Sequence, residues 1–260
     1  MHSVQGLKLG LGGFIAGCLA GLLGIGGGLF LVPLMVGMGF TPIQAVGTST
    51  FAKLMISASG SWYNWRMGNL DFQRVAMLGL PSLLSAQLGA YVATRLPSYL
   101  LLSAFGGLLL ANIYLINLRR RVDQLKQTAF KQQTGSLFFW RAIAGSAAGL
   151  LAGLFGVGGG IILVPLQILL FAETAQVAVQ TSLGVVFLSS MSACIGHTLS
   201  GNVLFLEGFV LGITGAIGAQ LGTRLLQKLP NNVHSSWFIV HRSWQSIMNH
   251  EQSTINNKHL

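Results

Sequence analysis

The chain is short of charge, and of negative charge above all. Only 8% of its 260 residues are charged, with five acidic side chains against fifteen basic ones. A soluble domain carries about 25% charged residues, so this chain lacks the ions to cover a solvated surface. No Asp, Glu, Lys or Arg occurs in 9–52, 75–94, 96–118, 142–172 or 174–206. A membrane-spanning helix needs about 20 apolar residues, and each of these runs holds one or two. With 52% hydrophobic residues and a mean hydropathy of +0.66, a soluble enzyme, a nucleic-acid module and a disordered tail are excluded as whole-chain readings. The net charge of +10 would suggest nucleic acid in a soluble protein. Here the basic residues gather between apolar segments, as in cytoplasmic loops. Cysteine is nearly absent too: Cys18 and Cys194 lie in apolar runs without metal-ligand spacing, which reads as core packing. The expectation is an all-α polytopic membrane protein in the lipid bilayer, with no nucleic-acid partner.

Glycine, in contrast, is abundant at 35 residues, and its distribution exposes an internal repeat. GLLGIGGGLFLVPL at 21–34 recurs as GLFGVGGGIILVPL at 153–166, with ten of fourteen positions identical. Further on, AVGTS (45–49) matches AVQTS (178–182), Gly68-Asn69 matches Gly201-Asn202, AQLG (86–89) matches AQLG (219–222), and Pro97 matches Pro230. The chain divides into a first membrane repeat (1–117), a basic linker (118–136), a second membrane repeat (137–230) and a polar tail (231–260). Apolar segments near 7–23, 27–39, 44–62, 74–94, 98–117, 137–155, 159–172, 177–196 and 203–226 predict nine helices. The segments at 27–39 and 159–172 are too short to span. Behind a GxGGG break they predict discontinuous or re-entrant helices.

Residues 119–136 carry five basic side chains and one Asp, which predicts a cytoplasmic linker. Arg66 and Arg74 sit in the 63–74 loop, whose counterpart 196–207 has no Lys or Arg. Arg224 and Lys228 stand opposite Arg95 alone. That antisymmetry predicts inverted repeats with an odd number of crossings each; parallel halves with four crossings are the alternative if the short segments are re-entrant. The tail 231–260 holds four of six histidines and no Gly or Ala. It reads either as an altered end replacing an expected final helix or as a genuine cytoplasmic tail. His234, His241, His250 and His259 are spaced so that no adjacent pair shares a helix face, and no metal site is expected.

The GxGGG boxes are not nucleotide loops: no third glycine or Lys-Ser/Thr follows in register. A helix starting after the glycines would turn its N-terminal amides and positive dipole end toward an anion. Gly26, Gly27, Gly28, Gly158, Gly159 and Gly160 are therefore candidate substrate-binding positions; close packing through small residues is the other reading. Thr48, Ser49, Thr181 and Ser182 form a duplicated hydroxyl pair that would line the site or back-bond to its helix. Lys53 interrupts a long uncharged run in mid-segment. A lysine at depth costs on the order of 3 kcal/mol, so it should face a cavity or an anionic partner. Gln87 and Gln220 predict buried amides bonding between helices. His197, aligned with Asn64, suits a hydrogen-bonded structural histidine or a proton relay, and Glu173 and Glu207 suit solvated span ends.

The paired boxes, each followed by AVGTS or AVQTS and later by Gly-Asn and AQLG, resemble the TauE/SafE family of sulfite exporter-like membrane proteins over roughly 14–230. The resemblance implies an inner-membrane carrier of sulfur-containing or related organic anions, built from two repeats without a prosthetic cofactor. The expected function is a secondary transporter, not an enzyme, moving a small anion such as sulfite or a sulfonate by alternating access. Its energy would come from the solute's own gradient or a coupling ion, H+ or Na+. A non-transporting membrane scaffold or sensor is the alternative.

Overall fold

A computed structural model describes residues 3–125, 137–171 and 173–228 of the chain. Nine helices occupy them, with no strand among the described residues: α1 (Ser3–Leu23), α2 (Gly28–Gly37), α3 (Pro42–Arg66), α4 (Phe72–Arg95), α5 (Ser98–Leu125), α6 (Leu137–Phe155), α7 (Gly160–Phe171), α8 (Ala175–Leu199) and α9 (Phe205–Lys228). Each falls on one of the nine apolar segments. α5 continues to Leu125, into the stretch read as linker. The rest of that linker and the 231–260 tail, with its histidines, lie outside the described residues. By length and apolarity α1, α4, α6, α8 and α9 suffice to cross a membrane, and the helices up to Leu226 form one compact unit.

The helix ends follow from local sequence. Thr41 caps α3, accepting from the Gln44 N–H at 3.4 Å, while Gln44 Oε1 accepts from the Thr41 N–H at 3.3 Å, with Pro42 in the first turn. Thr174 caps α8 by accepting from the Val177 N–H at 3.4 Å. These side chains satisfy donors that the helix itself leaves open.

Two helical hairpins organise the unit. After α1 the chain turns and α2 runs back along it: Gly27 abuts the Ala16 carbonyl and Gly12 faces Leu34. In the same way Gly159 abuts the Ala148 carbonyl, and Glu173, just beyond α7, reaches Arg141 near the start of α6 at 3.3 Å. In both halves the short helix thus folds back along the helix before it. Gly24, Gly26 and Gly27 turn the first hairpin at φ 70°, 76° and 76°, and Gly156, Gly158 and Gly159 the second at 64°, 89° and 59°. Side-chain-bearing residues avoid this left-handed region, which is why both turns are built of glycine. The twelve residues of α7 rise about 18 Å, enough to carry the loop past the middle of a hydrocarbon layer about 30 Å thick.

Between the hairpins, α3 and α8 run antiparallel. Gly47 near the start of α3 faces the Asn202 backbone, and Thr48 Oγ1 accepts from the Leu204 N–H at 3.0 Å. The outer contacts rest on missing side chains. Gly13, Gly17 and Gly21 of α1 press against the backbones of Leu211, Gly215 and Ala219 on α9. Gly145, Gly149 and Gly153 of α6 press against those of Leu78, Ser82 and Ala86 on α4. In lipid, where apolar burial gives no advantage over the solvent, such close backbone approach is what holds helices together. Gln87 and Gln220 depart from expectation. Both are exposed, because the glycine and alanine positions of AQLG take the packed faces of α4 and α9.

Candidate functional site between the glycine loops

The two glycine loops meet inside the unit. A side chain on Gly28 would strike the Gly156 carbonyl, and one on Gly160 would strike the Gly24 carbonyl. Each loop is tied to the helix that follows the other hairpin. Ser49 Oγ of α3 donates to Gly156 O at 3.1 Å and to Val46 O at 2.8 Å. Ser182 Oγ of α8 donates to Gly24 O at 2.9 Å and to Val179 O at 2.8 Å. A hydroxyl has one proton, and in both serines it is directed at carbonyls. These residues therefore hold the loops, while Thr48 holds the backbone ahead of α9. Thr181 is buried next to Ser182.

Lys53 lies at this crossing. Eleven residues of α3 precede it and thirteen follow to Arg66, about 16–20 Å of helix on either side. It is fully buried, and its Nζ has no hydrogen-bond partner among the described residues. Its Cδ is 3.0 Å from where a Cβ on Gly28 would sit and 3.3 Å from one on Gly158. A side chain at either position would crowd the lysine stem as it passes between the loops. The aligned residue of the second half, Val186, fills the space beside Gly26, its Cγ1 2.7 Å from the corresponding Cβ position. One half contributes a cation and the other a methyl group.

The loop amides are less uniformly available than the sequence suggests. Gly160 N–H turns back to Gly158 O at 2.5 Å, while Ile162 and Leu163 N–H bond to Gly159 O. In α2, Phe30 and Leu31 N–H bond to Gly27 O, and Gly27 caps the helix without a side chain.

Other buried polar groups surround the crossing. Ser57, one turn after Lys53, donates to the Lys53 carbonyl at 2.6 Å, and its counterpart Ser190 is fully buried with Oγ unpartnered among the described residues. The repeat register carries this pair, which residue-by-residue reading passed over. His197 Nε2 lies 2.9 Å from Gly153 O, the hydrogen-bonded arrangement expected of it.

Glu173 is not the solvated carboxylate its loop position suggests. Its side chain is 8% exposed and sits 3.3 Å from Arg141 and 3.5 Å from Arg74, which also pairs with Asp71 at 2.8 Å. Burial pushes the Glu173 carboxyl above its usual range, against the pull of Arg74 and Arg141. This cluster joins α4, α6 and the α7–α8 connection at one end of the helices. Because α7 returns to the level where α6 begins, a residue expected in a loop becomes buried between helix ends.

The sequence description of the sulfite exporter TauE/SafE family fits residues 9–241. The chain belongs to this family. Among similar proteins is YunE of Bacillus subtilis, named a probable membrane transporter protein, 28% identical over 84% of this chain and 87% of its own length. A probable membrane transporter protein of Methanocaldococcus jannaschii is 30% identical over 77% of this chain and 74% of its own. Another, from Xylella fastidiosa, is 28% identical over 95% and 99%. No solved structure matches. Family membership, relatives so named and five apolar helices of spanning length identify a multi-pass membrane transporter rather than an enzyme. As a TauE/SafE member the chain carries its two glycine loops, its buried lysine and its serine ties inside the matched region.

Proposed function

We propose that this transporter moves a small anion across the cytoplasmic (inner) membrane by alternating access, the solute being sulfite, a sulfonate or a related sulfur oxyanion. The observation that carries this reading is the buried, unpartnered Lys53 ammonium between the two loops. A cation at depth needs a counter-charge. The buried carboxylate Glu173 is already held by Arg74 and Arg141, so a solute anion is the natural partner. Lys53 supplies the charge, and the backbone of Gly26, Gly27 and Gly28 and of Gly158, Gly159 and Gly160 supplies room and dipoles. Ser49 and Ser182 keep the loops in register, with Thr181 buried next to Ser182, while Thr48 holds the backbone ahead of α9.

The two halves act as inverted repeats, a reading supported by the antiparallel α3 and α8 and by hairpins that open toward the starts of these two helices. Arg66, Arg74, Arg141 and Arg224 share the end at which the linker emerges; Arg224 stacks on Tyr63 of α3 at 5.4 Å. This excess of basic residues favours a cytoplasmic linker.

Counterflow in proteoliposomes, with sulfite, sulfate and methanesulfonate as probes, tests the reading. At least one probe should exchange in the wild type, and Lys53→Met should lose that exchange while inserting normally. Wild-type flux at the level of empty liposomes for all three, or full flux in Lys53→Met, refutes it.

A further inference from the structure

His197 is fully buried in the last turn of α8. Its Nε2 is 2.9 Å from Gly153 O, and a carbonyl only accepts, so this nitrogen carries the hydrogen. That leaves Nδ1 as the acceptor of the ring. Nδ1 is buried and has no partner among the described residues. A buried lone pair without a donor is a group whose partner is to be accounted for.

The neighbourhood tells what that partner is. From α6 the ring meets the Gly153 carbonyl, three residues ahead of the loop that begins at Gly156. From α3, Lys53 lies within electrostatic reach. From α4, Gln87 and Ala90 pack against the adjoining Gly196. On α8 itself, Cys194 makes a 3.9 Å contact with Thr198. No carboxylate among the described residues bonds to the ring. The aligned residue of the first half is Asn64, equally buried, with both amide atoms unpartnered among the described residues. Asparagine cannot take up a proton; histidine can. The two halves therefore offer matching polar slots of which one titrates.

We propose that His197 Nδ1 is the proton-binding site that couples anion movement to the proton gradient, one proton travelling with each anion in the same direction. The inference rests on the anion-carrier reading. Protonation adds a second cation within electrostatic reach of Lys53, where like charges repel. An anion at the glycine crossing removes that repulsion, so each ligand raises the affinity for the other, and linkage makes the effect reciprocal. The ring is tethered to the α6 tip, so its proton changes the potential at the loop that binds the solute. No bond other than N–H forms or breaks. The proton is taken from water on one side and returned to water on the other.

Methanesulfonate is the probe, because its charge stays fixed across the neutral pH range and any proton taken up belongs to the protein. Wild-type proteoliposomes should take up one proton per methanesulfonate, read by an internal pH dye. A gradient of one pH unit should drive about tenfold accumulation. In His197→Gln, whose amide still donates to Gly153 O, and in His197→Asn, residual counterflow above empty liposomes should lose both proton uptake and gradient response. Wild-type counterflow without proton uptake overturns the proposal, as does gradient-driven accumulation in His197→Gln equal to wild type. Absence of wild-type counterflow refutes the carrier reading and this inference with it.

Discussion

Replacing Glu173 by Gln tests how the hairpin α6–α7 is fastened at its open end. At 3.3 Å from Arg141, with an effective dielectric of about 20, the gross attraction is about 5 kcal/mol. The Arg74 contact at 3.5 Å counts for less, because the Arg74 side chain is 36% exposed and water screens it. Against these stands desolvation of a carboxylate that is 8% exposed, several kcal/mol for a buried ion. The carboxyl is pushed up from its ordinary value, with burial as the largest cause. Desolvation therefore outweighs the two arginines. The sign follows by linkage. A carboxyl whose value is raised on folding binds more protons folded than unfolded, so its contribution to stability falls as pH rises through that window. Thermal unfolding of purified protein in detergent between pH 4.5 and 7.5 measures it. The difference between wild type and Glu173→Gln should shift with pH, the wild type losing ground as pH rises. At neutral pH the single variant, which stays uncharged at every pH, should therefore be as stable as the wild type or more so. Arg141→Met, which takes the nearest counter-charge from the carboxylate, should cost about 1–3 kcal/mol at neutral pH, and adding Glu173→Gln should recover most of that loss. A difference that does not vary with pH, or that grows in the wild type's favour as pH rises, refutes the reasoning.

Three further outcomes follow from the same geometry. Lys53→Met removes a buried charge with no partner and should raise stability without solute, by a fraction of the ~3 kcal/mol that a lysine costs at depth. The same variant should abolish the solute-induced thermal shift; a fall in stability with the shift retained contradicts the site. Gly17→Ala forces a methyl group onto the Gly215 carbonyl and should cost about 1–3 kcal/mol. Gly107→Ala, where a Cβ meets nothing within 4 Å, should leave the melting temperature unchanged or slightly raised. Ser182→Ala leaves the Gly24 carbonyl without its 2.9 Å donor and should destabilise by about 1–3 kcal/mol. Its counterflow should drop along with that of Ser49→Ala; loss in one variant alone would break the equivalence of the two ties.

Nine helices were legible because apolar run length and glycine breaks are local signals, and the lipid leaves backbone groups few alternatives to helix. Lys53 was legible for a related reason: one charge in a long uncharged run stands out in any register. What the sequence could not convey is which way a hydroxyl points. Ser49 and Ser182 read equally well as anion donors or helix back-bonders. They instead bond across the molecule to Gly156 and Gly24, a choice fixed only when the hairpins fold back. Gln87 and Gln220 misled because duplication looks like burial, yet it was the neighbouring small residues that the packing required. Glu173 misled because a charge beside a span end is normally wet, and only the return of α7 to the level of Arg141 buries it.

The two ends of the bundle are fastened by different forces, and this bears on the alternating access proposed above. At the linker end, Arg74, Arg141 and Glu173 form the cluster described above. The positions aligned with them in the other half are Glu207, Leu9 and Phe40. Leu9 is fully buried and Phe40 packs at the edge of the same apolar core. One end is thus closed by ion pairs and the other by apolar contact. Apolar burial is worth about 25 cal/mol per Å² and weakens on cooling, whereas salt acts chiefly on charges that water reaches, here the Arg74 side. Single cysteines introduced beside Leu9 and beside Glu173, labelled with a water-soluble maleimide in proteoliposomes, should therefore respond differently. Raising ionic strength should speed labelling at the Glu173 end and leave the Leu9 end nearly unchanged, while added solute should shift the two in opposite directions. Parallel responses at both ends would mean that the ends do not alternate, whatever holds each of them closed.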